Sequence, residues 1–206
     1  MGHSSICATE RYTHVAQGSI LSIKSVDNKA YEFILISNNE GKELDQILEL
    51  IKNIPQCDMG APSPAIYSDE ISVYLFYYLE DNNENWDGTY VNIRNNNLDE
   101  GVACITFKYY TQYKFGSPND EAINGHPLYN YGLQPYKFFE VKNSEWIKNL
   151  MEMNRGHPNH KDEYFNKCRH FIYFFHDNCF EIICESYSYE IMNKNIKESI
   201  MDKIKF

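Results

Sequence analysis

The stretch that most constrains the fold is RHFIYFFHDNCFEIICE (169–185). Two apolar runs flank Asp177-Asn178, a pair suited to a tight turn, so the chain is expected to double back as an antiparallel hairpin. A two-residue loop there sets His176 opposite Cys179, Phe174 opposite Glu181, Ile172 opposite Ile183 and His170 opposite Glu185. Side chains alternate across a strand, so His170, His176, Glu181 and Glu185 share one sheet face. His176 and Glu181 become diagonal neighbours, close enough for the carboxylate to orient the imidazole. Such a pair serves a structural contact, a general base or a metal ligand with its supporting shell.

The remaining pattern extends the sheet. Ala103, Ile105, Phe107 and Tyr109 alternate with Cys104, Thr106, Lys108 and Tyr110, which predicts one long strand over 102–113. Segments 20–26, 30–36, 72–79 and 138–141 read as further strands, with a hairpin turn at 27–29. Leu44, Ile47, Leu48 and Ile51 recur at helical spacing, so 42–54 reads as an amphipathic helix stopped by Pro55. Asn143 or Ser144 is placed to cap a helix over Glu145–Asn154, buried through Trp146, Ile147, Leu150 and Met151. A further helical piece fits 161–168. Met192, Ile196, Ile200 and Ile204 space a terminal helix. No βαβ rhythm or repeat appears. With 17 Tyr and 12 Phe in 206 residues, sheet is favoured over a helical bundle. The expected class is α+β, a mainly antiparallel sheet with a few packing helices. Residues 1–17 read as a polar tail and 18–206 as one domain, with a possible break near 55–65.

A formal charge of -10 without a basic cluster disfavours nucleic acid and anionic membrane as partners. The first residues lack a basic region followed by an apolar run, and no apolar run reaches the roughly 18–20 residues of a membrane span. A cytoplasmic location is therefore expected. The six cysteines form no C-x-x-C pair, which points to reduced thiols rather than a disulfide frame or a cysteine-bound zinc.

Five of the seven histidines lie between 115 and 185. FGSPNDEAINGHPLY (115–129) places Asn119 and Asp120 in a turn, and Pro127 biases His126 toward an extended conformation. Such a loop presents Asn119, Asp120, Glu121 and His126 to a ligand, or else bonds internally and ties parts of the fold together. His157 and His160 form an H-x-x-H pair followed by Asp162 and Glu163, but Pro158 interrupts the helix that would align them. Cys168 or Cys179 near a histidine suggests a thiol nucleophile or, more simply, a small buried side chain. There is no G-x-S-x-G, Walker or Rossmann pattern, so no cofactor and no catalytic residue is named by motif.

Taken together, the words FG-x-PNDE, GHPLY, GL, EV, NS-x-WI, HF and FHD-x-x-FE resemble a bacterial family of hypothetical proteins. The matching residues are Phe115, Gly116, 118–121, 125–129, Gly132, Leu133, Glu140, Val141, Asn143, Ser144, Trp146, Ile147, Asn154, His170, Phe171, 175–177, Phe180 and Glu181. They span roughly the C-terminal third of the chain. Cys179 departs from the pattern, where a small hydroxyl residue is expected. The resemblance implies that Asn119, Asp120, Glu121, His126, His176, Asp177 and Glu181 belong to one core; it implies no activity.

Two functions follow as expectations. The first is a non-enzymatic binding domain for a protein or small molecule, with a polar pocket built from His126, Trp146, His176 and Glu181. The second is a metal-assisted hydrolase in which His126, His176 and Glu181 hold the ion and Asp120 or Glu121 is the base. A third arrangement leaves these groups structural and puts binding on the Asn-rich segment 80–101.

Overall fold

The computed structural model of the protein describes residues 45–80 and 101–204. The described residues all belong to one unit of the chain, 45–206. The strands expected at 20–26 and 30–36, and nearly all of the Asn-rich segment, lie outside the described residues.

Two antiparallel sheets form the domain, in keeping with the expected α+β class. One has five strands in the order β1 (Ile47–Leu50), β6 (Phe138–Lys142), β7 (Arg169–Phe174), β8 (Cys179–Cys184) and β5 (Gln112–Gly116). The other has four in the order β2 (Ala65–Ser68), β3 (Ser72–Tyr78), β4 (Val102–Lys108) and β9 (Ser186–Met192). Their inner faces meet in one aromatic core. Val73, Leu75, Tyr77, Ala103, Ile105 and Phe107 come from one side, and Phe138, Phe171, Tyr173, Phe180, Ile182 and Cys184 from the other. The alternation seen in the sequence is thus the pleat of strands with one face turned inward.

Each outer face has its own cover. Over the four-stranded sheet, Ile196 and Ile200 of helix α2 (Ile196–Ile204) pack on Phe76, Val102 and Cys104. Over the five-stranded sheet, Leu128 and Leu133 of the loop after β5 pack on Phe139, Val141, Ile172, Phe174 and Cys179. Gly132 adopts a left-handed φ of 94° at the end of a short 3-10 turn and returns the chain so that Leu133 reaches the sheet. Helix α1 (Glu145–Asn154) begins at Ser144, whose Oγ accepts from the Ile147 amide. Among the described residues, no helix is long and apolar enough to cross a membrane.

Several local expectations change. Residues 47–50 form an edge strand paired with β6, with Ile47 opposite Lys142, and not a helix. Their apolar spacing also fits helix, but the free edge of β6 offers backbone partners that an isolated short helix lacks. The single long strand is two. Tyr109, at a left-handed φ of 54°, breaks it after β4, and β5 joins the other sheet. Segment 162–167 is a 3-10 piece. Met192 ends β9, a strand that the sequence pattern did not announce, and does not belong to the terminal helix. Segment 57–65 is woven onto β3 by Asp58 N–H to Tyr78 O and Tyr78 N–H to Pro62 O.

Candidate functional site

The hairpin turns one residue earlier than expected, at His176-Asp177, with Phe175 N–H donating to Asn178 O across it. Phe174 therefore faces Cys179, Ile172 faces Glu181 and His170 faces Ile183. The paired positions move by two, so the faces are as expected while the partners are not. His170, not His176, is the diagonal neighbour of Glu181.

Glu181 lies on the outer face between β7 and β5, with Lys114 directly opposite on β5. His170 Nε2 lies 3.1 Å from Glu181 Oε2, while Lys114 Nζ and His126 Nε2 lie 3.5 and 3.6 Å from Oε1. Ring tautomers follow from the partners. His126 Nδ1 accepts from the Leu128 amide at 3.2 Å, so the neutral ring carries its proton on Nε2, toward Glu181. His170 donates Nε2–H to the carboxylate, and its Nδ1 accepts from the Ser144 hydroxyl at 2.8 Å. Ser144 Oγ in turn accepts from Ile147 N–H at 3.3 Å. A chain of bonds thus runs from the start of α1 through His170 to Glu181. Trp146 closes it, its ring edge-on to His170 at 5.1 Å and its Nε1–H donating to Gln112. Lys114 Nζ sits 3.8 Å above the Trp146 ring.

Burial gives this cluster its electrostatic character. Burial disfavours charge on His170 and lowers its pKa, the Glu181 hydrogen bond opposing only in part. Burial likewise disfavours charge on Glu181, but hydrogen bonds from His126 and His170, together with the nearby cationic groups, win and hold its pKa low. The resting state is an ionised Glu181 facing the neutral His170 ring, the Nε2 of His126 and the Lys114 ammonium.

Three potential ligand atoms, from His126, Cys179 and Glu181, lie within 4.8 Å of one another. Cys179, not His176, completes this group. Burial pushes the Cys179 thiol up, with the Glu181 charge adding to it. A metal taking these donors must displace that thiol proton and the His126 Nε2 proton, beside an ammonium 3.5 Å from the carboxylate. The residues are close enough for a metal, but the Cys179 thiol keeps its proton and the Glu181 carboxylate is already engaged by His170, His126 and Lys114.

His176 belongs to a second constellation. Its Nδ1 lies 3.0 Å from both Asp120 Oδ2 and the Tyr136 hydroxyl, and that hydroxyl donates to the same carboxylate oxygen at 2.5 Å. Asp120 N–H donates to His176 O, and Tyr136 N–H to Phe174 O, which fastens residues 120–136 onto the turn. Tyr136 holds a left-handed φ of 58°, a strained conformation for a bulky residue. The Asp120 hydrogen bond raises the His176 pKa despite partial burial. For Asp120, burial is outweighed by hydrogen bonds from Tyr136 and His176, and its pKa is lowered.

The expected site residues thus separate. His126, Trp146 and Glu181 gather around His170; Asp120 and His176 gather around Tyr136. Asn119 caps the 3-10 turn Asp120–Gly125 by accepting from the Ala122 amide. Glu121 and Asp177 are exposed. His160 is held between Asn154 and Asp162 at the surface. Lys114 and Tyr136 are site residues that sequence patterning did not select, and Ser144 was marked only as a candidate helix cap. Lys114 was legible from alternation once the strand break at Tyr109 is placed. For Tyr136 no local signal exists.

Stability should show the buried pair as an acid limb. His170 and Glu181 both have lowered values, so their contributions are fully present above the unfolded pKa values, about 6.5 and 4.3. The contributions are lost as pH falls from there through the folded values. His176, being raised, works in the opposite sense: its contribution is present below about 6.5 and lost as pH rises. The difference in Tm between the native protein and His170→Gln should therefore shrink as pH falls from 8 to 5. A difference independent of pH would show that His170 is not buried as a neutral ring.

No known protein-family model, curated protein or solved structure matches this chain.

Proposed function

We propose that the domain is a binding module for a protein or small-molecule partner, contacted through Lys114 and Trp146. One observation carries this reading. The buried network spends its donors and acceptors internally, from Ile147 N–H to Glu181, while the Lys114 side chain above it is 54% exposed. Trp146 beside it is half-buried. A cluster saturated in this way is a scaffold. It holds an indole and an ammonium in fixed positions, the kind of pair that anchors recognition surfaces. Lys114 suits an anionic group on the partner, with the indole as its apolar wall.

Lys114→Ala and Trp146→Phe should each weaken retention of a crosslinked partner by about tenfold, as expected for anchor residues, while Tm changes by only a few degrees. Equal retention by the native protein and both variants would remove this surface from consideration. The metal reading has its own check, elemental analysis of untagged protein purified without chelator. Near-stoichiometric zinc lost in Cys179→Ser would favour it over the hydrogen-bonded scaffold.

A further inference from the structure

Two histidines of the buried network have both ring nitrogens engaged, and His160 is likewise held on both sides. His157 accepts from the Asn159 amide on Nδ1, so its other nitrogen carries the proton. His176 differs. Its Nδ1 faces a carboxylate, which only accepts, so Nδ1 carries the proton and the lone pair of the neutral ring lies on Nε2. Nε2 takes part in no hydrogen bond among the described residues, and the side chain is 45% exposed. Among the described histidines, it alone combines a carboxylate-held Nδ1 with an unengaged Nε2 lone pair.

We propose that His176, oriented by Asp120 and Tyr136, is a nucleophilic imidazole that cleaves small activated acyl esters or thioesters at the exposed turn. This site is separate from the partner surface and does not depend on it. The Nε2 lone pair attacks the acyl carbon and the bond to the leaving oxygen or sulfur breaks, expelling the alkoxide, phenolate or thiolate. The acyl-imidazolium that forms keeps its proton on Nδ1 against the Asp120 carboxylate, which balances the new positive charge. Water then adds to the acyl carbon, the carboxylic acid departs as the electron pair returns to Nε2, and the second proton of the water passes through solvent to the expelled alkoxide, phenolate or thiolate. The net reaction consumes one water and needs no redox partner.

Asp120 is the positioning residue. Its Oδ2 receives both Nδ1–H and the Tyr136 hydroxyl, while its buried Oδ1 has no well-formed hydrogen bond among the described residues. The strained Tyr136 backbone is the cost of bringing that hydroxyl onto Asp120. The charged and titratable groups facing the ring are Asp120, Tyr136, Asp177 and Glu121. Three of them are acidic, so the site prefers neutral or cationic acyl substrates to anionic ones.

The test is p-nitrophenyl acetate hydrolysis by the full chain and by His176→Gln, Asp120→Asn and Tyr136→Phe. Acid-quench mass spectrometry of the native protein runs alongside. The expected result is an acetyl adduct on His176 and a rate reduced to buffer background in His176→Gln. Asp120→Asn should reduce the rate about tenfold or more, since a misoriented or wrong-tautomer imidazole loses most of its advantage. The pH profile should also shift to lower pH in Asp120→Asn, a change that a purely structural clamp would not produce. Adducts spread evenly over the histidines would overturn the proposal even if a variant failed to fold. So would a native rate retained in folded His176→Gln, or an unchanged rate and profile in Asp120→Asn.

Discussion

Glu181→Ala should cost about 3–5 kcal/mol of stability, because it strands buried donors that only this carboxylate satisfies. His126 and His170 both point Nε2–H at it, and both rings are buried. At about 2–4 °C per kcal/mol for a domain of this size, the melting temperature should drop by roughly 6–20 °C. Glu181→Gln should be milder, about 1–2 kcal/mol, for a specific reason. The new amide can accept from His126 and donate to His170, provided that His170 moves its proton to Nδ1. The Ser144 hydroxyl permits that change, since Oγ can accept where it formerly donated. His126 has no such freedom, because the Leu128 amide already occupies its Nδ1. Ser144→Ala should therefore be disproportionately harmful in the Glu181→Gln background, with a coupling of about 0.5–3 kcal/mol. Urea unfolding of the two single variants and the double variant measures it. Strict additivity would mean that His170 does not move its proton to Nδ1 against Ser144.

Phe107→Ala should be comparably damaging, at about 3–5 kcal/mol. Phe107 is fully buried on β4 and meets rings from the opposing sheet and from β9. Its centroid lies 5.4 Å from Phe180, 6.1 Å from Phe171, 6.2 Å from Phe138 and 6.3 Å from Tyr187. Truncation opens a void between two sheets whose strand backbones are pinned by their ladders, so the gap cannot close. Phe107→Leu, which keeps most of the volume, should lose well under half as much. Thermal and urea unfolding of both variants test this. A loss below about 1 kcal/mol for the alanine variant would mean that the two inner faces are not in close contact there.

These two positions also show how legibility divides. Phe107 was readable from the chain: alternation through Ala103, Ile105 and Phe107 marks one face of a strand. Its inward direction follows from hydrophobicity alone. Glu181 was readable only in part. A tight turn between two apolar runs puts His170 and Glu181 on the same face, and moving that turn by one residue preserves the face while changing every partner by two positions. The shared face was therefore robust, and the supposed His176–Glu181 contact was not.

Where a periodic pattern has a competing geometry, local sequence misleads. Ile47, Leu48 and Ile51 satisfy helical spacing, yet the segment pairs with β6, because backbone groups at a free sheet edge outweigh a weak propensity. The break at Tyr109 is similarly invisible to alternation. The residues continue to alternate, but the chain must leave one sheet for the other.

What the chain determined by itself was the α+β class, the strands with one buried face, the hairpin, a helix cap at Asn143 or Ser144 and the concentration of histidines in its last half. These depend on period, turn chemistry and side-chain size within a few residues of one another. Tertiary structure alone decided that the polar residues form two constellations. Ser144 reaches His170 across 26 positions, Tyr136 reaches His176 across 40, and Asp120 reaches it across 56. Hydrogen-bond partners at such separations are chosen by the packing of sheets and loops, and packing is a property of the whole core.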